Sequence, residues 1–191
     1  MTPMRLYLIR HGETEWNRQK SLQGSVDIPL NENGLAIARQ TAEGLREAGM
    51  HFDRIYSSPL ARAHKTAQIL CPGQEIQTDH RLREISFGDL EGTSFLTVTD
   101  LPMPAPGGES SQELQSRAVE FLEEVIADPE NQGKQILISA HGGVIRSVLM
   151  YIKGIPHEAF WLGSVSKNCG VTVLEAEGDT LSIQQENVIF Y

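Results

Sequence analysis

Along the chain, short apolar runs that stop abruptly alternate with stretches whose apolar residues recur every three or four positions. Residues 4 to 9 form the first such run and read as a buried strand. "LNENGLAIARQTAEGLREAG" follows, with Leu35, Ala38, Ala42 and Leu45 on one helical face, Asn31 as the expected cap and Gly49 at the end. "DRIYSSPLARAHKTAQIL" repeats the strand-to-helix pattern. There Ile55 and Tyr56 belong to the strand, Ser58 is the predicted cap and Pro59 the predicted first helical residue, which places Arg62 in the first turn. The middle, "TSFLTVTDLPMPAPGGES", has alternating prolines and then two glycines, so it reads as an irregular loop over the domain. Ser110 and Glu113 make a capping box, and Leu114, Ala118, Phe121 or Leu122, and Val125 mark the amphipathic helix behind it. "KQILISAHGGVIRSVLMYIKG" is the third strand-to-helix unit. A last strand near Val171 to Leu174 has a candidate hairpin partner at Asp179 to Ile183.

Strands alternating with helices predict an α/β fold, a mostly parallel sheet in one domain over 1–191, with a short covering loop at 93–109. Ligands of such sheets gather at the carboxyl ends of the strands. His11 and His141 each follow directly on an apolar run, so two strand-end histidines can meet at one crevice.

Composition narrows the class. With 191 residues, 40% hydrophobic and 21% charged, the chain has ordinary globular usage and enough length for a continuous core. A net charge of −9 without a basic run argues against nucleic-acid binding, and no stretch suits a signal peptide or a membrane span. Two cysteines, Cys71 and Cys169, make neither a disulfide framework nor a zinc pattern, so a reducing cytoplasm is the expected location.

The candidate chemistry rests on Arg10, His11, Arg62, Glu84 and His141. Two guanidiniums at a strand-end pocket match the oxygens of a phosphoryl group and disfavour imidazolium beside them. A neutral imidazole is then a competent nucleophile toward phosphorus, the second histidine a hydrogen-bond donor, and a carboxyl group the acid for the leaving oxygen. Each residue alone has an ordinary reading. A single histidine is mostly a surface or satisfied polar group, as read for His51, His64, His80 and His157, and Glu84 alone is a solvated carboxylate. Arg62 alone is a helix-surface arginine, yet the first turn of a helix is the wrong end for a cation, and that mismatch favours an anion partner there.

Taken together, "LIRHGETEWN", "SSPLARAHKTA", "LREISFGDLEG", "PGGES" and "ISAHGGVIR" resemble the histidine phosphatase superfamily in its phosphoglycerate mutase-like branch, across residues 5 to about 147. The resemblance implies a three-layer sandwich with helices on both faces of the sheet. It implies phosphorylation of His11 in turnover, phosphoryl binding by Arg10, Arg62 and His141, and Glu84 as proton donor. Asn17, Gln23, Gly24 and the Gly142 backbone match positions along the phosphate pocket. No metal and no cofactor are expected.

The family contains phosphatases and mutases. A mutase must hold a highly anionic bisphosphorylated intermediate, yet from Thr93 to Pro106 there is no lysine or arginine, only Asp100 among Phe95, Leu96, Val98, Leu101 and Met103. Gly143 also stands where mutases resemble a pattern with an asparagine after His-Gly. A phosphatase acting on a small phosphorylated metabolite is therefore expected, α-ribazole phosphate being the leading substrate and phosphoserine its rival. The cofactor-dependent phosphoglycerate mutase remains the alternative. Phe160 and Trp161 either form an aromatic patch for a homodimer or pack beneath the final strands, and the apolar tail "VIFY" is expected to dock.

Overall fold

The computed structural model describes residues 2–95, 104–162 and 164–191. The expectations for Leu96, Val98, Leu101 and Met103 in the covering loop lie outside the described residues.

Strands β1 (Met4–Arg10), β2 (Arg54–Ser57), β3 (Gln77–Thr78), β4 (Gln135–Ala140), β5 (Val171–Glu177) and β6 (Thr180–Val188) form one sheet in the order β3-β2-β4-β1-β5-β6. The first four run parallel, and β5 and β6 add an antiparallel hairpin. The helices are α1 (Glu15–Arg18), α2 (Glu32–Glu47), α3 (Ala61–Leu70), α4 (Ser111–Ala127) and α5 (Gly142–Lys153). Side-chain alternation along the central strands splits the core in two. Met4, Leu6, Leu8, Ile136 and Ile138 face α4 and α5, whereas Tyr7, Ile9 and Leu137 face α2 and α3. The result is the three-layer sandwich.

The predicted caps Asn31 and Ser110 hold, the latter with its full box to Glu113. The predicted start of the second helical unit does not. Helix α3 begins at Ala61, not Pro59, because Ser58 is still tied to the sheet through its N–H to the Ser139 carbonyl (2.9 Å). The Ala61 N–H is instead capped by Asp27 Oδ1 at 2.7 Å, a partner from a distant loop. The one-turn α1, missed in the pattern because it is so short, carries its own capping box between Thr14 and Asn17. Phe160 is buried in the core, while Trp161 is 42% exposed beside a pocket, so the pair neither forms an exposed patch nor packs wholly beneath the strands. The tail docks: Phe190 packs on the α2 side and the Tyr191 hydroxyl donates to the Asn168 carbonyl at 3.2 Å.

Candidate active site

Register brings the two histidines together. In the parallel pair β1–β4, Arg10 is opposite Ala140, so His11 and His141 leave adjacent strands side by side. Their rings stand 5.2 Å apart between centroids, and His11 stays in the ladder through its N–H to the Ala140 carbonyl (3.1 Å). Both are almost fully buried. The α3 helix brings Arg62 to the same place from the end of β2, also buried. Arg10, His11, Asn17, Gln23, Gly24, Arg62, Glu84 and Gly142 all line one pocket of about 210 Å³. His141 does not line it and lies wholly buried against His11.

A hydrogen bond defines the tautomer of His11. His11 Nδ1 is 2.6 Å from the Gly12 carbonyl, which can only accept, so Nδ1 carries the proton and Nε2 keeps its lone pair. His141 Nε2 pairs with Ser58 Oγ at 2.8 Å, and its buried Nδ1 has no partner. Burial pushes the His11 pKa well below the usual imidazole value, and Arg62 and then Arg10 push it further. Burial does the same to His141, with Arg62, His11 and Arg10 adding to it. Burial also draws Arg62 down to about 10, against the pull of Glu84 and Asp27, which leaves it cationic at neutral pH.

The arginines are seated by backbone. Arg62 donates to the Gly24 and Val26 carbonyls, both at 2.7 Å, leaving its buried Nε without a partner. Arg10 Nη1 donates to the Ser166 carbonyl at 2.5 Å, and its Nε is likewise unpartnered. Buried donors without partners are costly, so a set of them converging on one pocket is suited to an oxyanion. Asn17 adds to that set. Its Oδ1 accepts from the Thr14 N–H (3.1 Å) and from Asn168 Nδ2 (3.2 Å), so its amide NH₂ is the end left for a ligand. Gln23 accepts from the Thr14 hydroxyl at 2.6 Å. Glu84 sits across the pocket, accepting from the Gly143 N–H (3.0 Å) at the start of α5 and from the Ile85 N–H (2.9 Å).

Several contributors had no legible signal in the sequence. Ser58 orients His141, Asn168 also donates to the His11 carbonyl (3.0 Å), and Glu91 Oε1 joins the Ser25 N–H (2.8 Å) to the Phe87 N–H (3.1 Å). Gly24, at φ +54, is needed there because a Cβ would fall 2.4 Å from Glu91 Oε1. Phe87, Phe95, Trp161 and Val165 make an apolar rim, with the Phe87 and Trp161 rings 5.9 Å apart. Of these only Phe95 was anticipated.

The family profile described as Histidine phosphatase superfamily (branch 1) matches residues 6–189. A broad-specificity phosphatase of Saccharomyces cerevisiae is 32% identical over 190 residues, covering 93% of this chain and 81% of that one. A 2,3-bisphosphoglycerate-dependent phosphoglycerate mutase of Parvibaculum lavamentivorans is 32% identical over 174 residues, covering 82% and 83%. Among solved structures, a phosphoserine phosphatase mutant from Entamoeba histolytica in complex with phosphoserine superimposes with a TM-score of 0.84 at 28% identity, covering 96% of each chain. A matched profile running almost from end to end and paired histidines at adjacent strand ends lead to one conclusion: the chain belongs to branch 1 of the histidine phosphatase superfamily.

Proposed function

We propose that the protein is a metal-independent phosphatase that hydrolyses a small phosphomonoester through a phosphohistidine at His11. One observation carries the reading: the Gly12 carbonyl holds the His11 proton on Nδ1, so an unprotonated Nε2 is available at a pocket that Arg10 and Arg62 also line. In the first step Nε2 bonds to phosphorus as the ester P–O bond breaks, and Glu84 gives its proton to the leaving oxygen. In the second, the Glu84 carboxylate takes a proton from water, the water oxygen bonds to phosphorus, and the P–N bond breaks to release phosphate. Arg10, Arg62 and Asn17, which line the pocket, stabilise charge on the non-bridging oxygens throughout, and His141, buried behind His11 with its Nδ1 unpartnered, reaches them only if the phosphoryl group enters deeper than the pocket wall. Replacing His11 by alanine tests the assignment. Phosphate release should fall by about four orders of magnitude or more while the protein still folds, and a variant with near-normal turnover would refute the mechanism.

The apolar rim suits a leaving group with an aromatic ring, which supports α-ribazole phosphate as the substrate. Arg146 also lines the pocket and gives phosphoserine a second claim, since a guanidinium suits its carboxylate. The Arg146 guanidinium, however, lies over the Phe160 ring and is directed to the Ser164 (3.2 Å) and Ala159 (3.4 Å) carbonyls. That geometry favours the aromatic substrate. A mutase reading is supported by the Parvibaculum relative, but the apolar rim offers little to hold a second phosphate. Phosphate release from α-ribazole phosphate, phosphoserine and 3-phosphoglycerate, together with the yield of 2-phosphoglycerate from the last, separates the three.

A further inference from the structure

Glu84 is carried by a segment that belongs to no strand or long helix. A short 3-10 turn covers His80–Leu82, and the chain then runs extended through Arg83. Leu82 and Ile85 anchor it in the core on either side of Glu84. Two apolar anchors set the depth of such a segment but leave the peptide planes between them free to rotate. Rotation of the plane after Arg83 would carry the Glu84 carboxylate off the Gly143 N–H.

One side chain removes that freedom. Arg117 of α4 donates Nη1 to the carbonyls of Arg81 (2.7 Å) and Arg83 (2.6 Å), and Nη2 to the carbonyl of Glu84 (3.2 Å). The other edge of its guanidinium grips Glu109, with Nε on Oε1 at 2.6 Å and Nη2 on Oε2 at 2.7 Å. Glu109 closes the circuit on the far side of Glu84, accepting from the Ser86 N–H at 3.3 Å and giving its own N–H to the Ser86 carbonyl at 2.9 Å. Only a planar fork of donors can serve three carbonyls and a carboxylate at once, whereas an ammonium has three donors and no plane.

We propose that Arg117, held by Glu109, is the positioning residue for the proton donor: it fixes the peptide planes around Glu84 and so aims the carboxyl at the leaving oxygen. This rests on the reading of Glu84 as proton donor. It predicts an effect that depends on the leaving group, since a phenolate oxygen with a nitro substituent departs without a proton and an alkoxide does not.

The test compares p-nitrophenyl phosphate with benzyl phosphate, two esters whose rings are similar in size. The quantity to compare is kcat/KM, which covers the steps through transfer to His11 and so includes departure of the leaving oxygen. Arg117→Lys and the milder Glu109→Gln should each lower kcat/KM for benzyl phosphate by about tenfold or more while changing the nitrophenyl value less than about threefold. Glu84→Gln should show the same split, larger, and adding Arg117→Lys to it should cost little more. Equal losses on both esters in both single variants, or losses that track a fall in Tm, would overturn the inference. If Glu84→Gln itself shows no split, the proton-donor reading falls, and the positioning role falls with it.

Discussion

Gly143 donates its N–H to Glu84 Oε2 at 3.0 Å, and a Cβ at that position would lie 2.3 Å from Glu84 Oε1. The residue after His-Gly therefore controls where the carboxyl group can sit. Gly143 occupies the first turn of α5 without a positive φ, so alanine fits the backbone and improves helix propensity. Gly143→Ala should keep or raise Tm while lowering kcat/KM roughly 10- to 100-fold, the scale of a displacement of about 1 Å at a reacting group. Unchanged activity would mean that the carboxyl does not need this place.

Stability should fall in mild acid. Both buried histidines have pKa values well below 6.5 in the folded protein, so below that pH the unfolded chain takes up protons that the folded one refuses. Stability from this source is complete above the unfolded value and is lost as pH drops toward the folded values. The slope approaches about 1.4 kcal/mol per pH unit for each histidine, or roughly 2.7 for the pair. Urea unfolding at pH 7.5, 6.0 and 5.0 measures it, and His11→Ala should flatten the dependence by about half. A stability that does not change between pH 7.5 and 5.0 would contradict the neutral pair.

Chelation and oxyanion inhibition probe the phosphoryl site. EDTA should leave phosphate release unchanged, and vanadate should inhibit competitively because it adopts the five-coordinate geometry that Arg10, Arg62 and Asn17 are placed to hold. Activity lost to EDTA and restored by magnesium would require a different mechanism.

The aromatic rim makes a prediction about KM. Trp161 packs edge-on against Phe160 at 4.6 Å between centroids and in a tilted contact with Phe87, both lining the pocket with it. Trp161→Ala should raise KM for a substrate with an aromatic leaving group by about 2- to 10-fold, the worth of one aromatic pair. KM for a small alkyl ester should change little. Equal effects on both would place the leaving group elsewhere.

What was legible in the sequence follows from local physics. Apolar runs and helical spacing marked β1, β2, β4, β5 and the four long helices, since each element advertises its buried face within a dozen residues. His11 and His141 were readable as a pair because each ends such a run, and Ser110 with Glu113 because a capping box is local. The contacts that orient these groups were not readable, because they form between elements. Ser58 reaches His141 across 83 positions, and Asn168 reaches Asn17 across 151. Ser58 looked like a helix cap because that role is also open to serine; the sheet claimed it first, and Asp27 took over the cap. Trp161 offered no periodicity to place it at a pocket. Local patterning marked His11, Arg62 and His141 as candidates together with the strands and helix that carry them, but neither α1 under Asn17 nor the irregular segment under Glu84. Register and the aim of Glu84 were left to the packing of the layers, because the bonds that set them join segments far apart in the chain, as Gly143 and Glu84 are.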